Sequence, residues 1–412
     1  MSAVHSSSHH DVIIVGGRVA GASTALLLAR RGWRVLVLER SPYGSDTRST
    51  HALMKTGVHQ LQRWGLLDDV LAAGTPSLHQ TTFHYGDESV VVPLQPTTEI
   101  PALVAPRRTV LDRILADAAI AAGAEVHFST RATALLRGSG GEVIGLTGTH
   151  ADGTQFEARA PLVVGADGAR SVVARWVHAP FQVRTSHASA VVHAYFGPDV
   201  STDHNFAGYE WCYRPRGSAG VIPTNGGILA WVGMPRARFE NEIRRDVATG
   251  FWQVLRAVGP EVHDRVAARE RTSRLFTFPG QPGYLRRCAG PGWALVGDAS
   301  HFTDPLSAHG ITDALRDAEL LAIAVDEGLR DHAAMSSALE RYERHRDELS
   351  LPLLRAVDEL ASYRWTMDEV RHQLRDVSRA MQDELRALRQ LVERPEHGAG
   401  PPQPEAREGA RA

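Results

Sequence analysis

The first forty residues contain the feature that most restricts the fold: two apolar runs separated by a glycine-rich turn and a helix. Residues 12–15 are a run of β-branched residues typical of a strand buried on both faces. Small residues follow, and then apolar positions at helical spacing that end at Gly32. A second apolar run, 35–38, leads into the acidic Glu39. This order predicts a βαβ unit.

Such a unit binds dinucleotides, because amides at the start of its helix hold the pyrophosphate and the acidic residue accepts hydrogen bonds from a ribose. The residues expected to contact the cofactor are Gly16, Gly17, Arg18, Ala20, Gly21, Glu39 and Arg40. Arg18 occupies the second glycine of the usual Gly-x-Gly-x-x-Gly pattern, so its Cβ is expected to push the cofactor outward. Its guanidinium either compensates by binding phosphate or points to solvent.

Two later stretches carry short motifs at the ends of predicted strands. Asp167 and Gly168 follow the apolar run 162–165, and residues 297–299 read Gly-Asp-Ala after the apolar run 293–296. Asp298 therefore lies at the carboxyl end of a strand, where open α/β sheets bind ligands. A helix-capping role is the alternative for Asp298.

The three stretches together resemble the class A flavoprotein monooxygenases, the p-hydroxybenzoate hydroxylase-like family, and the resemblance covers most of residues 11–350. It implies bound FAD, with Asp167 in the family's Asp-Gly signature and Asp298 hydrogen-bonded to the ribityl chain. It also implies that the run beginning at Pro305 lays a helix N-terminus, at Gly310 and Ile311, against the flavin pyrimidine.

Two positions of that run depart from the family pattern, because Ala308 and Thr312 replace the usual Gly and Asn. The expected placement nevertheless agrees with the electrostatics of the cofactor. Reduced flavin carries negative charge near N1, and helix-end amides around Gly310 would stabilise that charge.

Further cofactor contacts follow from the same resemblance. Arg108 falls in the register of the family's Arg-x-x-Leu pattern, in which the arginine reaches the FAD phosphate or ribose, and Arg107 is the competing residue. Arg48 matches an arginine that the family often has near the flavin entrance. Ala132 would offer its backbone to the adenine.

The motifs predict an α/β fold: a Rossmann-like FAD-binding lobe with an inserted β-rich substrate lobe and C-terminal helices. The FAD-binding lobe is expected over 11–180 and 285–340, and the substrate lobe over 181–284 with strands from about 78–105. Helices are expected over 341–394, with a break or kink at Pro352, followed by a disordered tail over 395–412.

The composition limits the classes of partner. A net charge of −2 and a pI near 6.9 do not indicate nucleic acid or an anionic membrane as a partner. Two cysteines, Cys212 and Cys288, make neither a disulfide framework nor a metal-binding spacing, which favours a reducing compartment and predicts no metal site. We find no membrane-spanning run or secretory leader in the sequence, so a cytoplasmic location is expected. The oligomeric state stays open.

The resemblance implies an FAD-dependent monooxygenase that hydroxylates or epoxidises an aromatic or other electron-rich small molecule with O₂. NAD(P)H would bind transiently, since the sequence has no second dinucleotide fingerprint, and oxygen would be transferred from a C4a-hydroperoxyflavin. His309 is the candidate for a catalytic side chain near the isoalloxazine; a histidine held by local hydrogen bonds is the alternative. Tyr209, Trp211 and Tyr213 are candidates for the wall of the substrate pocket, or else simple core residues.

Three other functions stay open. A flavin-dependent halogenase shares the fold, but its Trp-x-Trp-x-Ile-Pro element is missing and Lys55 comes too early in the chain for the catalytic lysine. A geranylgeranyl reductase-like saturase has a Tyr-x-Trp element similar to Tyr209 and Trp211, although the following Phe-Pro is not preserved. The third is a flavoprotein without turnover, consistent with the departures at Arg18, Ala308 and Thr312.

Overall fold

A computed structural model describes residues 9–198 and 206–392 of the chain. It confirms the predicted fold class, an α/β protein with a Rossmann-like lobe, a β-rich lobe and C-terminal helices. The tail predicted to be disordered, 395–412, lies outside the described residues. Within those residues, no helix combines the length and apolar character that crossing a bilayer requires.

A six-stranded sheet forms the centre of the Rossmann-like lobe. In spatial order its strands are β17 (Ala289–Gly290), β18 (Trp293–Leu295), β9 (Leu162–Gly165), β1 (Val12–Val15), β2 (Val35–Glu39) and β5 (Glu125–Phe128). The strands from β18 to β5 pair in parallel, and β17 is antiparallel to β18. Strands β1, β2 and β9 are buried throughout, which explains their continuous apolar runs.

Helices cover this sheet, and smaller sheets extend it. The helices of this lobe are α1 (Val19–Ala29), α2 (Lys55–Arg63), α3 (Leu67–Ala72), α4 (Arg108–Ala121), α5 (Val172–Trp176) and α9 (Gly310–Arg330). One antiparallel sheet contains β6 (Arg131–Arg137), β7 (Val143–Thr149) and β8 (Gln155–Arg159). Another contains β10 (Phe181–Arg184), β16 (Tyr284–Arg286) and β19 (His301–Phe302). Because α1 packs against both α4 and α9, the first motif and the last motif share one core.

The second lobe is built on a seven-stranded sheet. In spatial order its strands are β15 (Phe276–Phe278), β11 (Ser189–Phe196), β14 (Gly227–Pro235), β13 (Gly217–Thr224), β12 (Tyr209–Arg214), β3 (Gln80–Tyr85) and β4 (Glu88–Pro93). Strands β3 and β4 reach this sheet from the first hundred residues, and β3 pairs in parallel with β12. The helical segments of this lobe are α6 (Arg236–Arg238), a π-helical turn (Phe239–Ile243), α7 (Val247–Val258) and α8 (Pro260–Ala267).

Side chains of this sheet alternate between two cores. Along β11, Val192 and Phe196 pack in a core with α7 and α8, whereas Val191 and Tyr195 face a core shared with the Rossmann-like lobe. Every residue of β11 is buried, which is expected for a strand covered on both faces. The sheet therefore places one row of side chains against the lobe that carries the nucleotide motifs.

Two long helices close the described chain, α10 (Met335–Ala361) and α11 (Met367–Val392). A break or kink was predicted at Pro352, and the break is wrong, because α10 continues through this residue. The kink stays a prediction. Proline removes one backbone hydrogen bond from the helix, and the neighbouring Leu353, Leu354 and Val357 are buried, so packing offsets that loss. Helix α11 packs against α2 and α10 and so reaches the Rossmann-like lobe.

Candidate functional site

The turn after β1 is too tightly packed to accept side chains at its glycines. A Cβ on Gly21 would lie 1.8 Å from the carbonyl oxygen of Gly16, and Gly16 itself has a φ of +104°. The backbone N–H of Gly17 donates to the buried carboxylate of Glu39 at 2.8 Å, and Ser41 donates to the same carboxylate at 2.8 Å. The acidic residue is thus fixed beside the turn, as the fingerprint predicts.

Of the two orientations considered for Arg18, the one directed freely to solvent is wrong, and the binding of phosphate stays a prediction. Its guanidinium donates to Asp112 at 2.9 Å and to the hydroxyl of Ser45 at 3.0 Å, so it does not point freely to solvent. Arg108 binds the same carboxylate at 2.8 Å. Two arginines therefore share one acid and leave a net positive charge beside the turn, which suits a pyrophosphate. The sequence analysis missed Asp112; its i,i+4 spacing from Arg108 was the available signal.

The three motifs converge in space. A Cβ on Gly16 would lie 2.4 Å from the carbonyl oxygen of Ala166, at the start of the second motif. A Cβ on Gly297 would lie 2.9 Å from Ala20 and 3.6 Å from Ala314. Residues 150 and 277 positions apart in the sequence therefore meet at the carboxyl ends of β1, β9 and β18, where ligands bind in sheets of this kind.

Asp167 and Asp298 each have a carboxylate oxygen that accepts no hydrogen bond from the described residues. One oxygen of Asp167 accepts from the N–H of Val172 at 2.6 Å, while the other is buried without a partner, and burial raises the pKa of this group. Burial, and then the nearby charge of Asp313, raises the pKa of Asp298 to about 7. Among the described residues the Asp298 carboxylate has no hydrogen-bond partner, so the capping alternative receives no support.

The loop before α9 leaves the amide end of that helix open. Residues Pro305–Ser307 form one 3₁₀ turn, and Ala308 follows with a φ of +50°. The usual glycine at that position is thus replaced by a residue that still adopts the left-handed conformation. Gly310, the first residue of α9, is exposed, and no atom lies within 4 Å of where its Cβ would be. Thr312, which replaces the usual Asn, is buried and accepts from the N–H of Met54 at 3.1 Å.

The remaining predicted cofactor residues lie around the same region and differ in how far their side chains are exposed to solvent. Arg40 is exposed directly after β2, and Ala132 is buried on β6. Arg48 donates to the carbonyl of Thr277 at 3.0 Å and so bridges to the seven-stranded sheet. These residues, with the open helix end and the free carboxylate oxygen, fit a bound FAD.

A histidine–tyrosine pair that the sequence analysis missed lies where the two lobes meet. His51 and Tyr195 are fully buried, their rings stack with centroids 5.5 Å apart, and the His51 Nε2 contacts the Tyr195 hydroxyl. The Arg107 guanidinium lies 3.8 Å above the Tyr195 ring. His193, on the same strand, makes an edge contact with Tyr195.

Burial and the cations around this pair keep the imidazole neutral. Burial, and then the cation Arg108, lowers the pKa of His51 well below its ordinary value, and burial raises the pKa of Tyr195. The Nδ1 of His51 is buried without a partner. The φ of His51 is +66°, a conformation that functional sites often hold at a cost elsewhere. No local sequence pattern shows such a φ, although His51 closes the segment that contains Arg48.

Comparison with known proteins agrees with this geometry. A family model described as FAD binding domain matches residues 9–356. The chain belongs to this FAD-binding family. One curated relative is a digeranylgeranylglycerophospholipid reductase of Methanocella arvoryzae, 27% identical over 345 residues, which cover 82% of this chain and 82% of that protein.

Solved structures show the same fold as this FAD-binding protein. The flavin-dependent brominase Bmp2 has a TM-score of 0.76 at 19% identity, covering 94% of this chain and 98% of that one. A probable FAD-dependent monooxygenase of Pseudomonas aeruginosa, PqsL, has a TM-score of 0.72 at 23% identity, covering 91% and 100%. These matches do not confirm the narrower resemblance to the p-hydroxybenzoate hydroxylase-like family.

His309 lies in the interior of the FAD-binding lobe rather than on an open surface. Its ring is fully buried, and Nε2 contacts Glu384 of α11 at 2.7 Å. This partner is 75 residues away, but local contacts are present too, because the His309 N–H donates to the Ser307 hydroxyl at 3.3 Å and Nε2 lies 3.8 Å from Asp313. As folded, the side chain does not face the open end of α9. The catalytic role of His309 stays a prediction that the structure gives no reason to favour.

His309 belongs to a buried ionic cluster that also contains Asp313, Arg316, Asp317 and Glu384. His309, Asp313 and Glu384 together have the ligand atoms of a metal site. However, the Arg316 guanidinium already lies 2.9 Å from Asp313, 2.6 Å from Asp317 and 2.6 Å from Glu384. The arginine therefore supplies the cation that the three acids require.

The three aromatic residues of β12 are core residues. Tyr209, Trp211 and Tyr213 are buried on the face of the sheet directed at the FAD-binding lobe. The Tyr209 hydroxyl donates to the carbonyls of Val104 at 2.8 Å and Leu53 at 3.3 Å, which ties the two lobes together. Their part in a substrate pocket stays a prediction.

Proposed function

We propose that this protein is an FAD-dependent monooxygenase that uses NAD(P)H and O₂ to hydroxylate or epoxidise an aromatic or other electron-rich small molecule. One oxygen atom of O₂ enters the substrate and the other leaves as water, while NAD(P)H supplies two electrons. The FAD supplies the redox and oxygen chemistry when bound, and the chain holds it, orients the substrate and excludes water.

The chain's own residues support the cofactor's position in this scheme. Glu39 is fixed beside the glycine turn for a ribose, and Arg18 with Arg108 offers positive charge for phosphates. Asp167 has a buried oxygen without a partner, and the amides of α9 at Gly310 open to free space. An anionic flavin ring is stabilised by such a helix end.

The observation that carries the monooxygenase over its alternatives is the neutral His51–Tyr195 pair. Electron-rich aromatic substrates such as phenols react more readily after losing their hydroxyl proton. The Tyr195 hydroxyl, bonded to the neutral imidazole, can orient a substrate hydroxyl, and the cations Arg107 and Arg108 favour a deprotonated phenol beside it. The pair lies on the sheet face that meets the FAD-binding lobe, and Arg108 acts electrostatically on both His51 and Asp298.

Oxygen-isotope labelling tests this function directly. Purified protein loaded with FAD is supplied with NADPH or NADH, ¹⁸O₂ and a panel of phenols and other electron-rich aromatics. The proposal expects substrate-stimulated NAD(P)H oxidation and one ¹⁸O atom in the product. Oxidation that is independent of every substrate, with all electrons recovered as hydrogen peroxide, would count against it.

Alkene reduction is the second candidate, favoured by the digeranylgeranylglycerophospholipid reductase relative and by the buried Tyr209 and Trp211. A reductase adds a hydride and a proton to a carbon–carbon double bond and needs no O₂. Anaerobic saturation of a prenyl substrate by the reduced protein would establish it and displace the monooxygenase. Bromide- or chloride-dependent product formation would instead indicate a halogenase, and FAD binding without any turnover a non-catalytic flavoprotein.

A further inference from the structure

A cavity rich in arginine lies where the seven-stranded sheet meets the end of α10. Its volume is about 660 Å³, within the range of small-molecule sites. We call it the arginine bay. The lining residues that matter for its chemistry are Arg216, Arg236, Arg238, Glu240, Tyr363 and Arg364.

Positive charge exceeds negative charge in the arginine bay. Glu242 is the shared partner of Arg216, at 3.1 Å, and Arg238, at 3.2 Å. The one acid of the lining set, Glu240, is already paired with Arg244 at 2.6 Å. In the described part of the chain, Arg236 and Arg364 have no hydrogen-bond or ion-pair partner for their guanidinium groups. Two of the four guanidinium groups are thus free to bind an anion.

The backbone holds two of the lining residues in a conformation that favours glycine. Arg216 closes the two-residue loop between β12 and β13 with a φ of +66°. After Pro215, this is the turn position at which glycine is favoured. Tyr363, which follows α10, has a φ of +52°. Outliers of this kind cluster at ligand sites, and here both lie in one cavity.

The floor of the arginine bay connects both lobes. The hydroxyl of Tyr363 bonds the hydroxyl of Ser218 on β13 at 2.9 Å. Next to it, Asp304 accepts from the N–H of Ser189 at 2.6 Å and from the N–H of Leu306 at 3.1 Å. The buried Tyr363 is therefore held in place behind the exposed arginines, and support of this kind is what a ligand site requires.

We propose that the arginine bay binds a small molecule through its phosphate group. Guanidinium groups match phosphate oxygens bidentately, and several of them on one wall of a cavity favour a phosphate over a single carboxylate. The phosphate can belong to a free nucleotide, such as the 2′-phosphate that distinguishes NADPH from NADH, or to a lipid headgroup. Both sources present a phosphate group, and they differ in the rest of the molecule that the cavity must accept.

Inorganic pyrophosphate tests the site without assuming any redox activity. Titration calorimetry of the FAD-loaded protein is expected to show saturable binding with one pyrophosphate per chain. The double variant Arg236→Gln/Arg364→Gln should weaken this binding by about tenfold or more, since each lost arginine removes charge-assisted hydrogen bonds. Both residues are exposed and unpaired, so the variant is expected to fold.

The matched control is Arg256→Gln/Arg375→Gln, which removes the same charge from exposed positions outside the bay. Unchanged pyrophosphate affinity in the control, with a loss in the bay variant, supports the proposal. Equal weakening in both variants, or no saturable binding in the wild type, overturns it. Two further titrations identify the source: NADPH against NADH, and vesicles of phosphatidylglycerol against phosphatidylcholine. If the bay variant no longer prefers NADPH over NADH, the phosphate is that of a nucleotide. If it no longer prefers phosphatidylglycerol vesicles over phosphatidylcholine vesicles, the phosphate is that of a lipid headgroup.

Discussion

Replacing Glu384 by glutamine should destabilise the protein strongly through the buried ionic cluster. Glu384 is 2% exposed and contacts Arg316 at 2.6 Å and His309 at 2.7 Å, both of which are fully buried. The change keeps the shape of the side chain but removes the acid nearest to His309 and one of the three acids around Arg316. Breaking a buried pair in this way costs about 3–5 kcal/mol.

The matched control is Asp383→Asn, one residue earlier on α11. Asp383 is exposed, and its contact with Arg386 at 3.1 Å is a surface pair. Its loss should cost under about 1 kcal/mol. The assay is the free energy of unfolding from urea denaturation at pH 7, followed by tyrosine and tryptophan fluorescence. A loss in E384Q no larger than that in D383N would refute the electrostatic account of the cluster.

Wild type and E384Q also give a pH test in which the direction of the change in stability is defined. Burial by itself raises the pKa of Glu384, but His309 and Arg316 lower it to about 2, below the value of about 4.5 for an unfolded chain. A depressed carboxyl pKa stabilises the fold above pH 4.5, and this stabilisation is lost as the pH falls toward 2. The stability gap between wild type and E384Q should therefore shrink over that window. A gap that stays constant contradicts the assignment.

Three other changes have definite expected outcomes. Gly21→Ala places a Cβ 1.8 Å from the Gly16 carbonyl oxygen, so the purified protein should lose its yellow flavin; retained flavin absorbance would contradict the proposed turn. Tyr195→Phe removes the hydroxyl that contacts His51, so kcat should fall by about 10²-fold or more with little change in KM; a KM effect alone would indicate a packing role. Asp298→Asn should make the FAD-free protein more stable than wild type at pH 8 but not below pH 4. The reason is that burial raises the pKa of Asp298 to about 7, so the folded state disfavours the charge that forms as the pH rises. Equal pH profiles in urea unfolding would exclude this.

The nucleotide-binding half of the site was predictable because its signals are local. A buried strand, a glycine turn and a helix start each occupy fewer than a dozen consecutive residues. Parallel strands place their carboxyl ends along one edge, so Asp167 and Asp298 had to lie near the first turn once all three strands joined one sheet. Packing then selected the glycines, because no larger residue fits at Gly21.

The other half of the candidate site was not predictable, because it depends on contacts between distant segments of the chain. His51 and Tyr195 are 144 positions apart, and His309 and Glu384 are 75 apart. Neither pair leaves a periodic trace, because each partner looks locally like any other buried residue. The break wrongly predicted at Pro352 has the same origin, since packing of the neighbouring residues outweighed a local helix-breaking preference.

By itself, the amino-acid sequence determined the α/β class and the position of the nucleotide motifs, since both follow from the periodicity and chain order of short segments. The tertiary structure alone decided which side chains from distant segments contact one another around these motifs and in the second lobe. It paired Arg18 with Asp112, buried His309 and assembled the arginine bay from five separate segments. The physical reason is that burial and charge pairing depend on the summed field of every neighbour, and neighbours are set by packing rather than by distance along the chain.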